Sequence, residues 1–311
     1  MKYLDVSFED LNIQEELFLT IGNFDGIHRG HQQVLNNLTT DSKISKTKSA
    51  ILSFNPHPKI FFNNEKNFLI NSKEKKISIL KNLNIDYLID LKFDNELTQL
   101  SFSEFEQNIL LNKLAIKRLY LGKDFRYGNQ RKGNLETLRL LCNAYNIKLE
   151  ELELLNNNSS DEKISSSKVR QFLKNGEIEK ANECLIEKFS ITGKVILGDQ
   201  RGRTIGIPTA NLKFPINIIK IPYGVYAVQI KLSDNMHFGI VNFGMRPTFH
   251  KQTSIVEVHI FDFEEDIYGK EIEVLFLSKI RDEQKFNGIK ELLNQITLDI
   301  TVAKKILKYG N

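Results

Sequence analysis

The sequence has no tryptophan and only two cysteines and six prolines among its 311 residues. Cys142 and Cys184 lie far apart and outside any CxxC pair, so we expect buried, reduced thiols rather than a disulfide framework. No apolar run reaches the roughly 18–20 residues of a membrane span. The first residues, MKYLDVSFEDLN, lack the apolar stretch of a signal peptide. We therefore expect a cytoplasmic protein with no membrane partner.

An excess of charge of one sign is also missing. The formal net charge is +4, and the basic residues are scattered rather than gathered into a patch. This balance suits anionic small molecules such as nucleotides and does not indicate a nucleic-acid partner. The length is about twice that of a usual domain, and 41% of the residues are hydrophobic. Two folded domains are the expected organisation.

The first half alternates short apolar runs with helical patterns. The runs predict five strands: Leu17–Ile21, Ala50–Phe54, Ile85–Leu91, Arg118–Gly122 and Ile147–Leu155. Between them, apolar residues recur at helical spacing, and Asn134 is placed to cap one of the helices. Strands that alternate with helices form a doubly wound parallel sheet, whose ligands bind at the carboxyl ends of the strands. We predict such an α/β domain over residues 1–184.

The pattern changes near residue 185, where strands follow one another with few helices between them. The predicted strands are Ile191–Leu197, Gly224–Leu232, Phe238–Phe243, Ile255–Phe261 and Glu271–Leu277. Apolar positions after Asn287 indicate one or two closing helices. We predict a small antiparallel β-barrel over residues 185–311.

Two histidines three residues apart follow a glycine-rich turn in the segment Gly22–His31, GNFDGIHRGH. The glycines let the backbone approach a phosphate group, and the start of the next helix supplies N–H donors. His28 and His31 would then donate hydrogen bonds to phosphate oxygens that gain charge during nucleotidyl transfer. An isolated HxxH pair also fits a metal site or a polar helix start. The preceding strand and the turn favour the phosphate site.

Three further segments of the first half lie where strands end or a helix begins. In Ile164–Arg170, three serines with Arg170 could grip a triphosphate, although a plain helix cap gives the same pattern. Asp124, Phe125, Arg126 and Arg131 follow the fourth strand. The aromatic and arginine side chains there could stack on or pair with a flavin phosphate, or the segment could be an ordinary basic loop. In the turn Asn55–Pro58, His57 could touch substrate or only shape the turn.

The segment Gly198–Asn211 is the most informative part of the second half. Thr209 and Asn211 offer two oxygen ligands from an extended segment, which suits Mg²⁺ bridging ATP phosphates. Glu257 interrupts an apolar strand. It is either an outward-facing acidic residue or a general base for phosphoryl transfer.

Taken in order, these motifs resemble the prokaryotic bifunctional riboflavin kinase/FAD synthetase family, from about Leu19 to the last helix. The matching segments are GNFDGIHRGH, NPHP, GKDFRYG, ISSSKVR, GRTIGIPTAN, IPYGVYAV, NFGMRPTF, VEVHIFDF and Arg281 with Lys285-Phe286. The resemblance implies that the second module phosphorylates riboflavin with ATP to FMN. The first module would then transfer AMP from ATP to FMN, giving FAD and pyrophosphate.

The resemblance also implies roles for individual residues. Glu257 would be the catalytic base of the kinase, and His28 and His31 would stabilise the transferring phosphate. The implied ATP site of the adenylyltransferase comprises Gly22, Asn23, Phe24, Asp25, Gly26, His28, His31, Ser165, Ser166, Ser167 and Arg170, and its FMN site comprises Asn55, His57, Asp124, Phe125, Arg126 and Arg131. The implied ATP site of the kinase comprises Gly193, Gly198, Arg203, Gly206, Pro208, Thr209 and Asn211, with Mg²⁺ on Thr209 and Asn211, and its flavin site comprises Arg246, Arg281 and Phe286.

Two other functions fit parts of the sequence. The HxGH segment alone permits a single-activity nucleotidyltransferase for another phosphate substrate, but the PTAN run and Glu257 argue against it. A flavin-binding regulator without catalysis is the third hypothesis, and the presence of all candidate catalytic residues argues against it. The partners expected are small-molecule substrates, and whether the chain forms homo-oligomers stays open.

Overall fold

The computed structural model describes residues 1–152, 156–157, 160–198, 202, 206–247 and 252–309. Its contacts divide the chain into two compact units. The first unit combines Met1–Lys66 with Lys73–Ser166, and the second combines Asn67–Ser72 with Ser167–Asn311. The contacts thus assign residues 67–72 and 167–184 to the second unit, whereas the sequence places its domain boundary between residues 184 and 185.

A sheet of six parallel strands forms the centre of the first unit. The strands are β1 (Lys2–Val6), β2 (Ile13–Ile21), β3 (Lys48–Asn55), β4 (Tyr87–Lys92), β5 (Leu114–Gly122) and β6 (Lys148–Leu152), arranged in the order β1-β4-β3-β2-β5-β6. Four of the five predicted strands are confirmed, and the fifth is confirmed as far as Leu152, since residues 153–155 lie outside the description. The sequence did not predict β1, because this edge strand is short and only partly buried and so carries no apolar run.

Helices connect these strands. They are α1 (Arg29–Ile44), α2 (Pro58–Asn63), α3 (Lys73–Asn82), α4 (Asn95–Gln99), α5 (Phe102–Phe105) and α6 (Leu135–Ala144), with a π-helical turn at Glu106–Leu111, a 3₁₀ turn at Asn129–Arg131 and the short strands β7 (Asn156–Asn157) and β8 (Ser160–Lys163). Asn134 caps α6 as predicted, since its Oδ1 accepts hydrogen bonds from two backbone N–H groups of the first turn. Fully buried leucines of β2 and β5, such as Leu17, Leu19 and Leu119, lie in the core.

The strand order reverses at β2. This strand has β3 on one side and β5 on the other. The chain runs from β2 through β3 to β4 in one direction across the sheet and then returns past β2 to form β5 on the opposite side. The carboxyl edge at such a reversal forms a crevice in which α/β proteins bind ligands. The segment Gly22–His31 follows β2 directly and therefore lies at this crevice.

The second unit contains two helices followed by an antiparallel sheet and a last helix. Its elements are α7 (Ser166–Asn175), α8 (Ile178–Cys184), β9 (Ser190–Lys194), β10 (Ala210–Lys213), β11 (Gly224–Leu232), β12 (Asn235–Pro247), β13 (Gln252–Ile260), β14 (Glu271–Asp282) and α9 (Ile289–Leu307). The strand order is β10-β13-β12-β11-β14-β9. A bridge between Ile196 and Asn211 brings the two ends of the sheet together, which nearly closes the predicted barrel.

Helix α9 covers part of this sheet. Its Ala303 and Leu307 pack with buried residues of β11 and β12, including Val225 and Ile240. One closing helix is therefore present in the part of the chain that the structure describes after residue 282. Within the described ranges, no helix combines the length and apolar character needed to cross a membrane.

Candidate active sites

The turn that follows β2 has an unusual backbone. Phe24, Gly26 and Ile27 have positive φ angles of 48°, 85° and 39°. For a β-branched residue such as Ile27 this conformation is strained, and the complete burial of its side chain holds it in place. The Oδ1 atom of Asn23 accepts a hydrogen bond from the N–H of Phe54 at 3.1 Å. This bond fastens the turn to the end of β3.

The two histidines of the turn stack on each other at the start of α1. Their ring centroids are 3.6 Å apart with an interplanar angle of 20°, and His28 occupies the N-cap position. The Nδ1 atom of His31 is buried and has no hydrogen-bond partner among the described residues, although part of the side chain reaches solvent. Burial, reinforced by the neighbouring His28, holds the pKa of His31 well below its ordinary value. The His31 ring is therefore neutral at pH 7.

Gly30 lets a second motif approach these histidines. A Cβ atom at this position would lie 3.0 Å from both the carbonyl oxygen of Ile164 and the Nδ1 atom of His28. A side chain at residue 30 would therefore press on the backbone before the three serines, and glycine leaves room for its close approach to α1. The hydroxyl of Ser166 donates a hydrogen bond to the carbonyl oxygen of Asp25 at 2.8 Å. The structure thus brings the predicted ISSS segment to the glycine-rich turn.

The remaining residues of the ISSS segment continue into the second unit. Ser165 precedes α7, and Ser167 lies in its first turn. The Nε atom of the buried Arg170 donates to the carbonyl oxygen of Phe68 at 2.9 Å, and its guanidinium lies 3.7 Å from the centroid of the Phe68 ring. This contact fixes the orientation of Arg170 within the second unit.

The predicted flavin residues follow the two strands that flank β2. Asn55 ends β3, and His57 caps α2 by accepting a hydrogen bond from the Lys59 N–H at 3.1 Å, so His57 shapes the turn. After β5, Phe125 stacks on Tyr127 at 5.5 Å between ring centroids. The other three predicted residues, Asp124, Arg126 and Arg131, are exposed on this loop. These residues and the turn Gly22–His31 therefore follow three adjacent strands, β3, β2 and β5.

The kinase candidates meet on two strands of the second unit. Asn211 of β10 stands directly opposite Glu257 of β13, and on the other side of β13 Asn242 donates a hydrogen bond to Glu257 Oε2 at 3.3 Å. Opposite residues of antiparallel strands point to the same face. Together with Thr209, these residues line a cavity of about 430 Å³. Glu257, which the sequence leaves as either an outward-facing acidic residue or a general base, is half-buried and lines this cavity.

Asn211 carries an unusual feature. Its side chain is buried, and its Oδ1 atom has no hydrogen-bond partner in the part of the chain that the structure describes. A Cβ atom on Gly198 would collide with this side chain, so the backbone must approach it closely there. An unmatched buried oxygen costs free energy, and binding a hard cation would remove that cost.

The flavin candidates Arg281 and Phe286 line the same cavity. The guanidinium of Arg281 pairs with the buried carboxylate of Asp299 on α9, with N–O distances of 2.8–3.0 Å. It also lies 5.6 Å from the centroid of the Phe286 ring. Asp299, which the sequence did not single out, thus fixes Arg281 at the cavity.

Other predicted residues of the kinase lie elsewhere in the second unit or outside the description. Gly193 lies in β9, where a Cβ atom would approach Leu212 to 3.2 Å, and Gly206 has a positive φ of 78°. Arg203 lies outside the described residues. The backbone of Arg246 lies in β12, but its side chain is outside the description.

Comparison with known proteins matches the two units to two enzyme activities. A family model described as FAD synthetase matches residues 10–168, and one described as riboflavin kinase matches residues 185–307. Relatives named bifunctional riboflavin kinase/FMN adenylyltransferase include those of Buchnera aphidicola from Acyrthosiphon pisum (38% identity, 94% of each chain), Bacillus subtilis (36%, 96% of each) and Escherichia coli K12 (33%, 94% of this chain and 93% of the other).

The chain belongs to the bifunctional riboflavin kinase/FMN adenylyltransferase family. A crystal structure titled macrolide-efflux protein from Streptococcus pneumoniae is also similar, with a TM-score of 0.88, 27% identity and coverage of 97% of this chain and 98% of that one. That likeness concerns the fold. The FAD synthetase match contains the His28–His31 site, and the riboflavin kinase match contains the Glu257 cavity. Residues 169–184, and with them Arg170, lie between the two matches. A nucleotidyltransferase without a kinase module is thereby ruled out.

The structure of this family member also reveals a polar cluster that the sequence analysis missed. The Nζ atom of Lys76 on α3 donates to Ser53 Oγ at 2.9 Å and to Asp90 Oδ1 at 3.3 Å. Tyr3 of β1 donates to the other oxygen of Asp90 at 3.1 Å. Burial lowers the pKa of Lys76, an effect that Asp90 opposes. One signal was available, since Ser53 and Asp90 both interrupt apolar strands.

Proposed function

We propose that the Glu257 cavity phosphorylates riboflavin and that the His28–His31 site adenylylates the product. The observation that carries this proposal is the register of β10 and β13, which sets Asn211 opposite Glu257 in one cavity with Thr209. A base and two oxygen ligands side by side are what transfer of a phosphoryl group from ATP to an alcohol requires.

In the kinase reaction, the terminal hydroxyl of the ribityl chain of riboflavin attacks the γ-phosphorus of ATP. The new O–P bond forms as the bond to the β,γ-bridging oxygen breaks, and ADP leaves. Glu257 accepts the hydroxyl proton. Its hydrogen bond from Asn242 supports this role, because it holds the carboxylate in one orientation. Arg281, fixed by Asp299, and Phe286 would contact the flavin, with Arg246 as a third proposed contact.

Mg²⁺ would be held by Thr209 and Asn211 together with ATP. The buried, unmatched Oδ1 atom of Asn211 fits a hard cation that prefers oxygen ligands. When bound, Mg²⁺ neutralises charge on the phosphates. Gly193, Gly198, Arg203, Gly206 and Pro208 complete the proposed nucleotide site.

In the adenylyltransferase reaction, a phosphate oxygen of FMN attacks the α-phosphorus of ATP and pyrophosphate leaves. His28 and His31 would donate hydrogen bonds to the oxygens that gain charge, and the first N–H groups of α1 would add to this effect. The turn Gly22–Gly26 and the serines Ser165–Ser167 would hold the triphosphate, with Arg170 as a further proposed contact. Asn55, His57, Asp124, Phe125, Arg126 and Arg131 are the proposed FMN contacts.

The test follows FMN and FAD over time. Protein incubated with riboflavin, ATP and Mg²⁺ should produce FMN and then FAD, as separated by chromatography. Glu257→Gln should stop FMN formation but should still convert added FMN to FAD. An FMN rate unchanged in Glu257→Gln would reject the role of this residue. Accumulation of FMN without FAD in the unaltered protein would reject the adenylyltransferase.

We also propose that the chain acts in the cytoplasm on small molecules alone, without nucleic-acid or membrane partners. Both cysteines are buried, and neither forms a disulfide among the described residues, which fits a reducing compartment.

A further inference from the structure

The short strand β10 ends its pairing with β13 beside the kinase site. The ladder runs from the pair Lys213–Ile255 to the pair Ala210–Val258. By the same register, Thr209 falls opposite His259. The next residue along the chain towards the N-terminus is Pro208, which has no backbone N–H and cannot extend the ladder by donating to it.

Beyond the end of the ladder, the side chain of His259 makes the next contact between the two segments. The Nδ1 atom of His259 lies 2.9 Å from the carbonyl oxygen of Pro208. A carbonyl can only accept, so this contact places a proton on Nδ1 of the imidazole ring. His259 and Glu257 are two residues apart in β13 and share one face, and both line the cavity of about 430 Å³.

We infer that His259 is a positioning residue of the kinase. It holds the Pro208 carbonyl and thereby fixes Thr209 between two anchors. One anchor is the His259–Pro208 hydrogen bond, and the other is the β10 ladder, which begins at Ala210. The inference rests on the proposed role of Thr209 as a ligand of Mg²⁺ and ATP.

The expected effect of losing this bond is specific to one substrate. A loosened Thr209 should weaken productive ATP binding, because Thr209 is the proposed ligand of Mg²⁺ and ATP. In the proposed site, riboflavin does not contact the Thr209 side chain. His259→Ala should therefore lower kcat/KM for ATP in the kinase reaction by about 10-fold, a size that fits one hydrogen bond. The KM for riboflavin should stay within about twofold.

Asparagine and glutamine variants make the test sharper. The amide nitrogen of Asn can take the place of Nδ1, whereas that of Gln reaches the position of Nε2. We expect His259→Asn to recover kcat/KM for ATP to within about threefold of the unaltered protein. His259→Gln should resemble His259→Ala. Riboflavin binding, followed by the flavin's fluorescence, checks that the second unit of each variant is folded, and FAD formation from added FMN should be unchanged in all three.

Three results would overturn the inference. The first is an Ala variant whose kcat/KM for ATP is within twofold of that of the unaltered protein. The second is an Asn variant that binds riboflavin but is as impaired as the Ala variant. The third is an equal loss of kcat/KM for ATP and for riboflavin. Should the Ala variant fail to bind riboflavin, the comparison of the Asn and Gln variants decides the matter. Failure of the proposed function is distinguishable, because it would appear as a Thr209→Ala variant with full kinase activity.

Discussion

The stacked rings of His28 and His31 bring two titratable groups within 3.6 Å of each other, measured between centroids. Two charged imidazoles at this distance would repel, and burial removes the water that would stabilise either charge. The pKa of His31 is accordingly well below its ordinary value. The protein thus keeps this ring neutral, as a hydrogen-bond donor or acceptor for the proposed phosphate ligands.

A pH dependence of stability follows at His31. Its folded-state pKa is lowered, so below about pH 6.5 the unfolded chain binds a proton that the folded chain does not. The free energy of unfolding of the first unit should fall as pH drops through 6.5, by up to about 1.4 kcal/mol per pH unit from this group. Urea titrations from pH 8 to pH 5 measure it. The slope should shrink in His31→Gln, and parallel curves for the two proteins would contradict the prediction.

The Lys76–Asp90 pair is a second feature at the residue scale. Its side chains are 14% and 8% exposed. Removing one partner of a buried ion pair costs about 3–5 kcal/mol, because the other charge is left buried. Lys76→Met should therefore destabilise β3 and β4 by several kcal/mol, seen as faster amide hydrogen exchange in both strands.

The double variant Lys76→Met/Asp90→Asn provides the control. It removes both charges, and the Asn side chain keeps an oxygen acceptor for one of the hydroxyls of Tyr3 and Ser53 and presents an N–H donor to the other. It should be more stable than the single variant. A single variant that exchanges no faster than the unaltered protein would show that the pair adds nothing to local stability.

The start of α1 is the element on which the first site depends. Alanine usually favours a helix over glycine by about 1 kcal/mol. At position 30, however, the new methyl group would press on Ile164 and on the His28 ring at 3.0 Å. Gly30→Ala should therefore change stability little but lower FAD formation from FMN by about 10-fold, through displacement of His28 and the ISSS segment.

Two measurements check this prediction. The kinase activity of the same variant should be unchanged, because Gly30 belongs to the first unit. Gly122→Ala is the matched stability control, since its methyl group would meet no atom within 4 Å. An adenylyltransferase rate unaffected by Gly30→Ala would show that the close approach does not matter for the reaction.

Elements differ in how well the sequence predicts them. Buried strands such as β3 are continuous apolar runs that end at Gly or Pro, and they were predicted. The strands β1 and β10 were not, because one is half-exposed and the other has only four residues after Pro208. Their pairing is decided by distant strands, β4 and β13, and leaves little local signal.

At the scale of the whole chain, the sequence predicts which residues carry the chemistry but not what holds them. Glu257, Thr209 and Asn211 are identifiable from their motifs. The residues that hold functional or buried groups in place are not identifiable in this way: Asp299 pairs with Arg281, His259 contacts Pro208 and Lys76 pairs with Asp90. In each pair, the two residues lie on different elements and are far apart in sequence. Their roles depend on contacts that only the folded chain forms.

Two separate sites in one chain predict that the reactions can be divided between molecules. FMN is the product of the first proposed reaction and a substrate of the second, so neither reaction itself requires the other site in the same molecule. A mixture of Glu257→Gln with His31→Gln should therefore make FAD from riboflavin and ATP. FMN should accumulate first, and the lag before FAD appears should shorten as more Glu257→Gln is added.

The double variant Glu257→Gln/His31→Gln, used in place of Glu257→Gln, should yield only FMN. Absence of FAD from the mixture, when each single variant still performs its own half of the pathway, would mean that FMN does not leave the molecule that makes it.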